Sequence, residues 1–226
     1  MSVALITGGS AGLGLALVTR LADTGWAVVT DARNARRLAQ VTPAGVRAIT
    51  GDVADPGHRA ELVAAVERLG HLDLLVHNAS SLGPLPLRPL RDLDDTGLEQ
   101  TWRVNAAAPT ALTRQLLPWL RRDDGMVVTV SSDAAVEHYP TWGAYGASKA
   151  ALDHLTLTWA AEEGITAYAL DPGDMRTDLH QAAFPGQDIS DRPLPTAVVP
   201  AFVELLRRRP ASGRYRAADL TEPVEV

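Results

Sequence analysis

The chain contains no cysteine, so disulfides, zinc–thiolate sites and cysteine nucleophiles are excluded. Aromatic residues are scarce, and the apolar fraction is aliphatic and alanine-rich. No apolar run is long enough to cross a membrane. Long basic runs are absent too, and the formal net charge is -6, which argues against a general nucleic-acid binder. The one basic cluster, Arg207-Arg208-Arg209, reads as the C-terminal end of a helix, where the dipole favours positive charge. Met1–Thr7 enters an apolar strand pattern at once, without the charged lead and cleavage site of a signal peptide, so the default expectation is a cytoplasmic protein. Neither a repeat nor a low-complexity tract interrupts the 226 residues, and no linker divides them; residues 1–226 read as one domain.

What is present is alternation. Strand-length apolar runs (Val3–Thr7, Trp26–Thr30, Val46–Thr50, Leu72–His77, Met126–Ser131, Ile165–Leu170, Gly213–Arg216) alternate with segments of helical period. The helical segments are Leu13–Thr24, Ala35–Gln40, Pro56–Leu69, two within Leu93–Leu120 that meet near Pro109, Tyr145–Glu163 and Pro195–Arg208. Such alternation predicts an α/β fold: a Rossmann-type, doubly wound parallel sheet of about seven strands with helices on both faces. Leu82–Pro89 and Asp178–Pro195 read as loops flanking a cleft.

The first strand runs into Thr7-Gly8-Gly9-Ser10-Ala11-Gly12-Leu13-Gly14, which opens a helix. Glycines there let backbone approach a pyrophosphate, and the helix N-terminus offers unpaired N–H groups to the anion. The second strand ends in Asp31-Ala32-Arg33, beside the expected adenosine ribose. An acid there favours the free 2′-hydroxyl of NAD, an arginine the 2′-phosphate of NADP. Asp31 and Ala32 should point to opposite sides of an extended strand. Tyr145 and Lys149 are four apart in a helical segment and share one face, so the ammonium can favour ionisation of the phenol. Ser132 closes the valine-rich strand thirteen positions before Tyr145.

Taken together, these motifs resemble the single-domain branch of the short-chain dehydrogenases/reductases over nearly the whole chain. The TGxxxGxG spacing resembles that family's cofactor loop, and Ser132, Tyr145 and Lys149 its catalytic core. The resemblance implies Asn105 as a fourth catalytic residue, supporting a proton relay through water. It implies cofactor contacts from Gly8, Ser10, Ala11, Gly12, Leu13 and Gly14, from Ala32 and Arg33, and from Asp52 and Val53. Asn78 and Ala79, in a sequence similar to the family's NNAG with His77 and Ser80 as departures, would also contact the cofactor, as would Pro172, Gly173, Met175 and Thr177, besides Tyr145 and Lys149. Ala32 falls at the family's usual acidic position with Arg33 next to it, which resembles the NADP-preferring pattern. Trp142–Tyr145, Ala161–Glu163 and Asp171–Asp178 are similar to the sepiapterin reductase and benzil reductase group, which reduces ketones and vicinal diketones.

The implied activity is NADP(H)-dependent hydride transfer between nicotinamide and a carbonyl or alcohol substrate. The alternatives are an NAD(H)-preferring alcohol dehydrogenase using Asp31, a non-catalytic NADP-binding sensor, and a sugar-nucleotide epimerase. His138, Trp142 and Phe184 are candidate substrate contacts, although the rings at 138 and 142 fit packing or a dimer edge equally well. No metal site is expected, because His138, His154 and His180 lack ligand spacing. The family further implies a homodimer or homotetramer formed through the helices carrying Asn105 and Tyr145.

Overall fold

The computed structural model describes residues 1–221. Its elements are β1 (Val3–Ile6), α1 (Gly12–Asp23), β2 (Ala27–Ala32), α2 (Ala35–Val41), β3 (Arg47–Thr50), α3 (Pro56–Leu69), β4 (Leu74–His77), α4 (Asp95–Trp102), α5 (Ala108–Arg122), β5 (Met126–Val130), α6 (Gly143–Glu163), β6 (Thr166–Asp171), α7 (Asp178–Ala183), α8 (Val199–Arg208), β7 (Gly213–Arg216) and α9 (Ala217–Thr221). All seven strands pair in parallel, in the order β3-β2-β1-β4-β5-β6-β7. The expected Rossmann-type sheet is therefore the observed one.

Side-chain alternation divides the core. Along β1, Val3 and Leu5 enter one apolar cluster with Leu62 and Val66 of α3 and Leu112 and Leu116 of α5. Ala4 and Ile6 enter the other, with Leu17 and Val18 of α1 and Phe202 and Leu205 of α8. Each fully buried leucine adds roughly 2 kcal/mol of apolar transfer. Because both faces are covered, the central strands are almost wholly apolar, whereas edge strand β3 is largely exposed.

Local chemistry sets the ends. Asn34 caps α2 by accepting from the Arg37 N–H, and Asp55 caps α3 ahead of Pro56. The two helical segments expected within Leu93–Leu120 are α4 and α5, joined by a π-helical turn at Arg103–Ala107 just before Pro109. The segment 178–194 is not loop throughout. It opens with α7, whose cap is the Thr177 hydroxyl; six residues are too few for a readable period. Arg207 and Arg208 lie in the last turn of α8 and pair with Glu204. Among the described residues, no helix is long and apolar enough to cross a membrane.

The sheet order reverses between β1 and β4. Loops leaving their carboxyl ends diverge there and open a crevice.

Candidate active site

A cleft of about 1050 Å³ runs along this crevice, from Arg33 at one end to Tyr145 at the other. That matches the upper end of small-molecule and cofactor sites, roughly 300–1,000 Å³. The glycine loop forms its floor. Gly8 (φ 75°) and Gly12 (φ 54°) occupy the left-handed region. A Cβ on Gly14 would collide with the Gly8 carbonyl and with the Asn78 amide. No side chain caps the N-terminus of α1, and no acid lies in its first turn, so its N–H groups face the cleft free for an anion. These features fit a dinucleotide's pyrophosphate.

Asn78 locks the loop in place. Its Nδ2 donates to the Thr7 carbonyl at 2.9 Å and to the Gly8 carbonyl at 3.2 Å. The Thr7 hydroxyl accepts from the Asn78 and Ala79 N–H groups, each at 3.1 Å. Asp52, Val53 and Ala79 also line the cleft, as do Ser10, Ala11 and Leu13.

At the adenosine end, Asp31 is buried and fully engaged. One carboxylate oxygen accepts from the Gly8 N–H at 2.8 Å, and the other lies 2.9 Å from His58 Nε2. The hydrogen bond to Asp31 raises the His58 pKa against the cost of burial. Asp31 thus braces the glycine loop from behind. Arg33 and Ala32 line the cleft, with Arg33 exposed and in no protein ion pair among the described residues. Arg37 instead reaches across to Asp178 at 2.6 Å.

At the chemical end, Tyr145 and Lys149 project from one face of α6 and are both buried. Ser132 follows the end of β5; its hydroxyl donates to Asp133 Oδ1 at 3.0 Å, and with the Ser80 hydroxyl it favours the ionised form of the Tyr145 phenol. Burial is the largest influence on the phenol and pushes its pKa up to about 12; the two serines oppose it, while Asp133 and Asp171 add to it. The net direction is opposite to the lowering expected from the ammonium, because desolvation prevails and Lys149 Nζ stands 5.6 Å from the ring centroid. The tyrosine is accordingly a protonated acid at neutral pH. Lys149 donates to the Val130 carbonyl at 2.7 Å, and burial brings its pKa down to about 8.

Asn105 sits behind this group on the π-helical turn, a feature that often marks functional positions. Its Oδ1 accepts from the Ser81 N–H (2.8 Å) and the Ser80 hydroxyl (3.3 Å). Its Nδ2 donates to the Ser81 carbonyl and the Ser148 hydroxyl. The side chain is thereby filled with protein partners and ties the loop after β4 to α6.

Pro172, Gly173, Met175 and Thr177 line the cleft above Tyr145. Asp171 holds the turn by accepting from the Gly173 N–H at 3.0 Å. The Trp142 ring packs edge-on against Tyr145 with centroids 5.6 Å apart and against Phe184 at 5.8 Å, and His180 packs on Phe184 at 4.9 Å. Of the three candidate substrate contacts only Trp142 lines the cleft; His138 is exposed and, like Phe184, lies outside the lining. Sequence reasoning assigns no role to Ser80, His58 or His180. Ser80 stands out only as a departure from the family motif, and His58 acquires its place only through the distant Asp31.

Comparison with known proteins agrees with this geometry. The short chain dehydrogenase family model matches residues 2–188. An uncharacterized oxidoreductase of Saccharomyces cerevisiae is 36% identical over 184 residues, covering 78% of this chain and 72% of that one. Versicolorin reductase 1 of Aspergillus parasiticus is 30% identical over 191 residues, covering 80% and 72%. Among solved structures, a short chain dehydrogenase from Shigella flexneri complexed with NADP superposes with a TM-score of 0.88 at 27% identity, covering 96% of this chain and 97% of that one. One from Escherichia coli complexed with NADPH gives 0.87 at 27% identity, covering 96% of each. Fold, cleft and sequence converge: this chain belongs to the short-chain dehydrogenase/reductase family of oxidoreductases.

Proposed function

We propose that the protein is an NADP(H)-dependent carbonyl reductase acting on ketones or diketones. The observation that carries this reading is the meeting of a protonated Tyr145 phenol, the Ser132 hydroxyl and the Lys149 ammonium at one end of a cleft whose floor is the glycine loop. NADPH, when bound, supplies the hydride that reduces the carbonyl carbon. Tyr145 donates its proton to the developing alkoxide, and Ser132 hydrogen-bonds the same oxygen and orients it. Lys149 offers N–H donors to the nicotinamide ribose and stabilises the tyrosinate left behind. Asn105 keeps Ser80, Ser81 and α6 in register around the phenol; with both ends of its amide occupied by protein, its role is this positioning and not the expected hold on a relay water.

Two features favour NADP(H) over NAD(H). Asp31, the only acid at the end of β2, is consumed by Gly8 and His58, whereas Arg33 faces the cleft without a protein ion-pair partner among the described residues. Guanidinium geometry suits a phosphate. The solved relatives crystallised with NADP and NADPH support the same choice. Trp142, backed by Phe184, supplies an apolar aromatic wall beside Tyr145, suited to a flat or hydrophobic ketone. A homodimer or homotetramer built on α5 and α6, in a cytoplasmic setting, belongs to the same reading.

The test is NADPH and NADH oxidation over a panel of diketones, quinones, aldehydes and ketones. The expected result is turnover that prefers NADPH and falls by roughly 10²–10⁴ in Tyr145→Phe, with NADPH binding by fluorescence retained. Undiminished turnover in Tyr145→Phe would refute the assignment, and so would NADPH binding with no turnover across the panel.

A further inference from the structure

Of the 21 basic side chains, Lys149 is the one lysine; every other is arginine. An arginine stays charged under all ordinary conditions, whereas a buried lysine sits close to losing its proton. Something must therefore keep this ammonium charged inside the protein. No carboxylate lies within ion-pair distance of its Nζ among the described residues, and the Val130 carbonyl that accepts its hydrogen bond carries no net charge.

The negative charge that acts on Lys149 is Asp153. It lies four residues further along α6, hence on the same helix face, and is likewise buried. Its Oδ2 accepts from the Ser131 hydroxyl at 2.6 Å and from Arg214 Nε at 3.1 Å, while its buried Oδ1 has no partner. Arg214 comes from β7, far along the chain, and its Nη2 also donates to the Ser132 carbonyl and to Asp171 Oδ2, each at 2.9 Å. One guanidinium thus joins the backbone of the proposed catalytic serine, the aspartate that shapes the Pro172-Gly173 turn, and the helix bearing Tyr145 and Lys149.

We propose that Asp153 and Arg214 are a buried positioning pair: the Asp153 carboxylate is the counter-charge of Lys149, and Arg214 clamps Ser132, Asp171 and α6 to that carboxylate. This rests on the functional reading of Lys149 above. The pair explains how two like charges, Lys149 and Arg214, coexist near the catalytic segments: two acids, Asp153 and Asp171, balance them. Asp153 raises the lysine's pKa against burial. On Asp153 itself, burial prevails and raises the pKa, while Ser131, Arg214 and Lys149 oppose it. Tyr145 is neutral in this range and packs its ring toward the ammonium.

A single lysine makes the test direct. Protein grown with ¹³Cε-lysine gives one side-chain signal, whose pH titration reads Lys149 without cofactor or substrate. Asp153→Asn should lower that titration midpoint by roughly one pH unit. If Asn leaves Arg214 orphaned and the variant fails to fold, Asp153→Asn/Arg214→Met removes both charges together and should still lower the midpoint. An unchanged or raised midpoint in a folded variant overturns the proposal. Because the readout is independent of turnover, it stands apart from failure of the reductase assignment.

Discussion

Replacing Lys149 by methionine should stabilise the protein while abolishing catalysis. Burial brings the ammonium from 10.5 down to about 8. At about 1.4 kcal/mol per pH unit, the charged form is disfavoured in the fold by about 3 kcal/mol relative to the unfolded chain. Methionine fills similar space without a charge but forfeits the hydrogen bond to the Val130 carbonyl, a loss of about 1 kcal/mol. The net gain is about 2 kcal/mol at pH 7, which corresponds to a melting temperature higher by about 4–8 °C. The sign follows from linkage. Between pH 8 and 10.5 the unfolded lysine still holds its proton while the folded one has released it. Wild-type stability therefore rises with pH in this window, and the advantage of the variant shrinks. Calorimetry of both proteins from pH 7 to 9.5, below the range in which tyrosines ionise, measures this. The expected gain marks a protein that retains a destabilising group because chemistry requires it. A variant that melts at or below wild type at pH 7, or an advantage that does not shrink with pH, would show that the ammonium is not penalised by its surroundings.

Gly14→Ala places a methyl against the Gly8 carbonyl and the Asn78 amide. It should destabilise the fold by about 1–3 kcal/mol in urea titrations and abolish NADPH binding measured by fluorescence. Arg33→Ala should weaken NADPH binding by about tenfold or more while leaving NADH binding nearly unchanged, as read by calorimetry with each nucleotide. Equal losses for both nucleotides would show that Arg33 does not read the 2′-phosphate.

Features with a local physical cause are legible in the order of amino acids alone. Strand-length apolar runs and helical apolar periods place the seven strands and their order of appearance, since burial on both faces leaves central strands such as β1 continuously apolar and β5 nearly so. The glycine loop is legible because only glycine fits Gly8 and Gly14, and Tyr145 with Lys149 because four residues make one helical turn. That Asp31 should turn away from Ala32 also follows from strand geometry.

Its destination does not. The carboxylate becomes a brace for the glycine loop only because His58, at the start of α3, packs under β2. The same holds for α7, too short to carry a period, and for the ring cluster of Trp142, Phe184 and His180, assembled from two segments. Tyr145 is placed by its helix, but the direction of its pKa is set by burial, which depends on everything packed around it. Arg214 is the clearest case: its three partners lie 43 to 82 residues away in sequence, and nothing in Gly213–Arg216 alone distinguishes it from Arg216 two positions on. The sequence by itself determined which elements form and which residues they present at their ends, because those depend on neighbours a turn or a pleat away. The tertiary structure alone decided which charges meet and which are cut off from water, because Coulomb interaction and desolvation depend on distance in space and not on separation along the chain.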